Sequence, residues 1–382
     1  MTSPKAFAEL IKSASYKDKN YTQLTPLTNV TFFLGAGFSK SWDKSFPTGN
    51  ELFSFKIEDY SDELDEFIDN IGFLNIGKID FSTFKDMAYH VSMQKKYPSI
   101  RSRYIDLYNL EMIENAINAV IARRFQDISM INYVKNPGEK LKLTTTPSTD
   151  QVNIVKFFSW LNDQTTGDND IPEGMRPHFI TTNYDFLVES IQDEILGGDD
   201  NQLLYAYRGF TPQKTNGVNR PRTVFKHWLV NSLIKLNGGF EIYKHNNHGF
   251  SIDYTAKTEK DLKANAPILI VPNREQDYTG EYFQAIFPKA IKLLQESRVL
   301  VIIGYSLPDE DALIRLLLRQ FAEENVDGTE KMIFFIDLMD EKEQYRKLQT
   351  VFPYHQYQRE WYHIYTYAGF FTNWVKEVLA LI

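Results

Sequence analysis

The sequence has no cysteine among its 382 residues. That absence excludes disulfides, thiol catalysis and thiolate zinc sites, whatever the fold. Also missing is any apolar run near the ~20 residues that span a bilayer, and the opening Met1-Thr2-Ser3-Pro4-Lys5 has no apolar signal-peptide core. A cytoplasmic protein with no membrane attachment is therefore expected. No long Lys/Arg run is present, and 42 Lys+Arg against 50 Asp+Glu leave a net charge of −8. Such a surface is not built to neutralise phosphates along a duplex, so nucleic acid is not expected as a direct partner. Histidine is sparse, at seven residues, and none stands in an H-E-x-x-H frame. His245 and His248 lie three apart in a polar stretch that reads as a surface turn, and no metal site is assigned. No carboxylate cluster with metal-ligand spacing stands out to support a nuclease.

What is present is a globular composition, 43% hydrophobic and 14% aromatic. Asn29 to Leu34 is a short β-branched and aromatic run ended by glycine, which predicts a buried strand. Pro177 to Thr182, Pro267 to Pro272, Val299 to Ile303 and Lys331 to Asp337 give the same signal. Helical spacing over Tyr282 to Glu296 and Asp311 to Glu324 separates the later runs, so a parallel sheet covered on both faces is expected. The fold class is α/β, with a doubly wound parallel-sheet, Rossmann-like core. Apolar residues at three- and four-residue spacing from Gly49 onward, with a cap expected at Asn50, predict a mainly helical insertion over about 51–150. The chain then divides into an N-terminal segment 1–27, a core 28–345 and a C-terminal segment 346–382. Within the last, Trp361 to Phe371 reads either as an oligomer contact or as a buried final strand and helix.

Three turns stand at the carboxyl ends of predicted strands, where open α/β sheets bind ligands. Gly35-Ala36-Gly37-Phe38-Ser39 offers glycines that let a phosphate approach backbone amides. Lys40 occupies the place of the third glycine of the dehydrogenase fingerprint, so that pattern is excluded. Thr181-Thr182-Asn183-Tyr184-Asp185 brings an amide that can donate and accept toward a ribose or a water. Ile303-Gly304-Tyr305-Ser306 repeats the strand and glycine-turn arrangement. Taken singly, each is equally a tight turn into a helix, with Asn183 or Asp309 as a cap.

Together with Phe46-Pro47-Thr48-Gly49, Lys235-Leu236-Asn237-Gly238-Gly239 and Ile270-Val271-Pro272, these motifs resemble the bacterial sirtuin-like proteins of antiphage defence. The resemblance implies a sirtuin-like fold that binds NAD as substrate and cleaves the nicotinamide–ribose bond. It places Gly35, Ala36 and Gly37 at the phosphates and Asn183, as a catalytic residue, with Asp185 at the nicotinamide-ribose end, and it puts Phe38, Ser39 and Thr182 in the cofactor-binding set. Gly304 and Ser306 fall to the adenosine ribose, and Asp337 joins the cofactor-binding set. The catalytic His of such proteins has two candidate positions here, His227 by spacing from Asn183 and Asn237 by local motif. Lysine-deacylating sirtuins carry a zinc module held by four cysteines, so the resemblance implies hydrolysis of free NAD and no zinc. It further implies an effector that works as a homo-oligomer with a HerA-type ring ATPase partner. The rival reading is an NAD- or ADP-ribose-binding sensor or scaffold without turnover.

Overall fold

Six short runs become one all-parallel sheet, built from β1 (Thr28–Leu34), β2 (Met175–Thr181), β3 (Leu233–Lys235), β4 (Val299–Ile303), β5 (Lys331–Asp337) and β6 (Tyr362–Ala368). Its order is β3-β2-β1-β4-β5-β6, which is the strand order of dinucleotide-binding doubly wound sheets. The computed structural model describes residues 1–14, 28–59, 77–100, 107–128, 147–164, 175–196, 208–216, 231–245, 249–274, 278–323, 330–352 and 362–382. Because side chains alternate along a strand, successive residues feed two separate cores. Val30, Phe32, Leu34, Phe179, Val301 and Phe334 belong to one, and Phe33, Ile180, Leu300, Ile302 and Phe335 to the other.

The first face is covered by α1 (Ser3–Ala14), α2 (Ala36–Trp42), α3 (Thr149–Asp163) and α4 (Leu187–Leu196), and by α5 (Phe371–Leu379) from the far end of the chain. Phe7 of α1 lies among Phe32, Phe157, Phe334 and Trp374, and Trp374 Nε1 donates to Ser3 Oγ at 3.0 Å. The opposite face carries three further helices, Glu281–Glu296, Ala312–Glu323 and Glu341–Val351. Amphipathic helices on both sides of a near-continuously apolar sheet are the doubly wound arrangement that the sequence predicts.

The described part of 51–150 carries the helices Phe81–Lys96 and Leu107–Ile128 and a two-residue antiparallel ladder between Phe55–Lys56 and Lys78–Ile79. It rests on the carboxyl side of β2 and β3, where Phe125 stacks on Phe240 at 4.2 Å and Phe53 meets Tyr184 edge-on. The cap expected at Asn50 falls instead on Thr48, whose N–H donates to the Glu51 carboxylate at 2.6 Å. A second correction concerns Pro267 to Pro272. This run forms no strand of the main sheet, only a single bridge from Leu269 to Gly238. Proline at both ends removes two amide donors, and the N–H groups of Ile268 and Ile270 go to Ile242 and Asn237. The place beside β2 belongs to the three-residue β3.

Among the described residues, no helix is long and apolar enough to cross a membrane.

Candidate functional site

At the sheet's carboxyl edge, between β1 and β4, the strand order reverses, and doubly wound sheets bind ligands at such a switch point. Two turns meet there through their backbones. Gly37 N–H donates to Gly304 O at 2.9 Å, and a Cβ on Gly37 would stand 2.7 Å from Gly304 Cα. A Cβ on Gly35 would stand 2.5 Å from Gly304 O, so the glycines first of all let the two turns touch. The amides of Gly35 and Phe38 are also engaged, by Ile303 O and Gly35 O. Ala36 is exposed at the head of α2. Phe38 packs in the core against Phe158 and Phe371 at 1% exposure.

The turn after β2 leans on the turn after β1. Asn183 Nδ2 donates to Gly35 O at 2.9 Å and to Ser39 Oγ at 3.0 Å. Ser39 Oγ donates in turn to Asp185 Oδ2 at 2.7 Å, while Asp185 Oδ1 accepts from Leu187 N–H at 3.0 Å. Asp185, not Asn183, therefore caps α4. Burial pushes the Asp185 carboxyl above the ordinary aspartate range, against the pull of these hydrogen bonds. With both amide hydrogens of Asn183 directed into the protein, its carbonyl oxygen remains to accept from a ligand hydroxyl or water.

A third segment, residues 235–240, runs alongside. Leu236 N–H donates to Thr181 O at 2.8 Å, and Phe240 N–H to Tyr184 O at 3.0 Å. Asn237 Nδ2 donates to Thr182 O at 3.2 Å, and Lys235 Nζ to Asp185 O at 2.6 Å. Asn237 is thus an amide bound to backbone, in reach of the Asn183 turn. His227 lies outside the described residues.

Sequence reasoning missed what stands behind this segment. Lys235 Nζ also meets Glu189 Oε1 at 2.8 Å and Glu241 Oε1 at 2.7 Å, and Arg208 Nη1 reaches the same oxygens at 3.2 and 3.5 Å. Arg208 Nη2 also donates to Tyr254 OH. Burial pushes Glu241 up to about 7, whereas Lys235 and Arg208 overcome the burial of Glu189 and hold it below the ordinary range. A signal was available in the lone Lys of Leu233-Ile234-Lys235-Leu236 and the lone Glu of Leu187-Val188-Glu189-Ser190-Ile191. A charge inside an apolar run needs a buried partner.

On the far side of the switch point, Ser306 is exposed and its carbonyl accepts from Lys347 Nζ at 2.8 Å. Asp337 ends β5 half-buried, its Oδ1 accepting from Met339 N–H at 3.1 Å, and burial raises its pKa. The edge therefore brings together Gly35, Ala36, Gly37, Ser39, Thr182, Asn183, Asp185 and Asn237 around two contiguous turns, with Gly304, Ser306 and Asp337 following along the sheet. Among the described residues, no group of three metal-ligating side chains gathers.

No family model matches the sequence, and no curated protein matches it. Among solved structures, a Sir2 protein bound to acetylated peptide is similar at 12% identity and TM-score 0.39, over 99% of this chain and 97% of that one. A structure described for the mechanism and regulation of Sir2 enzymes shares 12% identity, with TM-score 0.38 over 100% and 98%. A Sir2 complex with an inhibitor, 2′-O-acetyl-ADP-ribose and deacetylated peptide shares 11%, with TM-score 0.38 over 99% and 98%.

Proposed function

We propose that this chain binds NAD at the carboxyl edge between β1 and β4 and hydrolyses the bond between nicotinamide and ribose. The observation that carries the reading is Asn183, fixed by two hydrogen bonds to the glycine turn with its carbonyl oxygen left to accept. In the reaction, the C1′–N bond breaks and both its electrons leave with neutral nicotinamide. Water oxygen bonds to C1′, and one proton is released with ADP-ribose. The intermediate sugar is cationic, so the work of the protein is to orient the ribose and one water and to keep other nucleophiles away. Asn183 Oδ1 accepts from the ribose or that water, the Gly35–Gly37 and Gly304–Ser306 turns support the phosphates and adenosine ribose, and the helical insertion covers the turn from above. Asp337 lies further along the same edge, at the adenosine side.

Zinc-dependent deacylation is disfavoured because the chain has no cysteine for a thiolate module. NAD depletion suits a defence effector, and we place the chain in the cytoplasm as a homo-oligomer partnered by a HerA-type ring ATPase, in line with the motif resemblance. The second reading, a nucleotide sensor without turnover, is favoured by one observation: Asn237 holds Thr182 O with its amide and offers no base.

The test is nicotinamide release from NAD by purified wild type, Asn183→Ala, His227→Ala and Asn237→Ala, each with and without the ring ATPase. Release by wild type and at least a hundredfold loss in Asn183→Ala is the expected result. A dead His227→Ala with an active Asn237→Ala assigns the base to His227. Binding of NAD without any release, even with the partner, replaces the hydrolase by the sensor.

A further inference from the structure

Four carbonyls of the turn that presents Asn183 are held by one short stretch of chain. Thr181 O is taken by Leu236 N–H, Thr182 O by Asn237 Nδ2, Tyr184 O by Phe240 N–H and Asp185 O by Lys235 Nζ. Two of these donors are ladder-like backbone amides and two are side chains. Lys235 makes the shortest contact of the four, 2.6 Å, at 2% exposure. The Lys235 ammonium donates to Asp185 O and forms ion pairs with Glu189 Oε1 at 2.8 Å and Glu241 Oε1 at 2.7 Å. Its charge is therefore held by two carboxylates distant from each other in sequence, while its hydrogen bond to Asp185 O grips the turn.

The surrounding sequence is shaped to admit this arrangement. A Cβ on Gly239 would stand 2.6 Å from Glu241 Oε2 and 2.9 Å from Lys235 Cδ. Gly238 has φ +80, and a Cβ there would stand 2.0 Å from Ile268 O. The glycine pair thus makes room for a buried ion cluster and for close backbone passage. We propose that Lys235 is a positioning residue that fixes the Asn183 turn through the Asp185 carbonyl, with the Glu189–Glu241–Arg208 cluster as its anchor. Asp185 O is two residues from Asn183 and belongs to the residue whose carboxylate holds Ser39, so a shift there moves Ser39 Oγ, one of the two partners of the Asn183 amide. A buried ion cluster is a costly way to brace a turn, and its directional grip on one carbonyl is what an apolar side chain of equal volume cannot supply. This rests on the proposed hydrolysis only in naming the reaction for which the turn is fixed.

The test compares Glu241→Gln alone with Lys235→Met/Glu241→Gln, in which Glu189 still faces Arg208 and the cluster stays charge-balanced. Two readouts are taken: steady-state NAD hydrolysis, and hydrogen exchange at the amides of Asn183, Leu187 and Phe240. Relative to Glu241→Gln, the double variant is expected to lose at least tenfold in kcat with KM within threefold, and those amides exchange at least tenfold faster. Lys235→Gln/Glu241→Gln, which keeps a donor, recovers part of both. Exchange unchanged from Glu241→Gln overturns the proposal, as does faster exchange with unchanged kcat in an active protein, or no recovery by Gln. If the wild type proves to have no turnover, the hydrolase reading has failed and the exchange series alone decides the brace. If the Met variant does not fold, the Gln variant is read against Glu241→Gln by the same criteria.

Discussion

At the scale of single residues, His178 illustrates how burial sets protonation. Its Nδ1 accepts from Ser232 N–H at 3.0 Å, which leaves Nε2–H to face Asn29 Oδ1 at 3.2 Å. Burial, with a smaller contribution from the nearby Arg176 charge, lowers its pKa from 6.5 to about 3. The unfolded chain therefore takes up this proton first as pH falls. The stability that His178 confers is complete above about 6.5 and declines from there toward about 3. At pH 5 the loss from this one group is about 2 kcal/mol. His178→Gln, which retains one acceptor and one donor, is expected to flatten the dependence of the urea midpoint between pH 7.5 and 5, and parallel slopes in both proteins would refute it. Gly37→Ala makes a sharper demand, because the added carbon would lie 2.7 Å from Gly304 Cα. Relief of that overlap is expected to cost about 1–3 kcal/mol of stability, with a matching drop in melting temperature.

At the scale of elements, the most consequential helix is the first. α1 lies in the segment 1–27 that the sequence sets apart from the core, yet Phe7 is fully buried between the sheet and Trp374. Phe7→Ala should destabilise by about 3–5 kcal/mol, read as a lower urea midpoint with unchanged steepness; a loss under 1 kcal/mol would place this helix outside the core. The signal was present in Phe7, Leu10, Ile11 and Ala14, a helical stripe, but polar neighbours hid it. Strands were legible where the apolar run was long, as in β1, β4 and β5, since burial on both faces leaves few polar interruptions. β3 was not legible because three residues give no period. The Pro267–Pro272 run misled for the opposite reason: its composition suits a strand, but strand pairing needs amides that proline lacks. Of the site, the turns carrying Gly35, Asn183 and Gly304 were legible because glycine and Asn mark strand ends. The pairing within the Glu189–Lys235–Glu241–Arg208 cluster was not, because its members spread over 241 − 189 = 52 positions, with Lys235 and Glu241 only 241 − 235 = 6 apart but Glu189 and Arg208 19 apart, and folding decides which of them meet.

At the scale of the whole molecule, the strand order β3-β2-β1-β4-β5-β6 sets both halves of the edge around one switch point. On the proposed reading, a nucleotide bound there would touch turns from both halves and stabilise the chain as a unit. ADP-ribose at a hundred times its Kd should add about 2.7 kcal/mol of stability, seen as a higher melting temperature. Asn183→Ala should keep most of that rise while losing nicotinamide release; absence of a shift in the wild type refutes the nucleotide reading altogether. The contact of Gly35 and Gly37 with Gly304 has a further consequence, for mutational history. Each is already the smallest residue available, so a side chain gained at one cannot be offset by a reduction at another. Second-site suppressors of Gly37→Ala should therefore never map to Gly35 or Gly304, and three positions scattered over 270 residues of chain, 304 − 35 = 269 apart at the ends, are barred from drifting together.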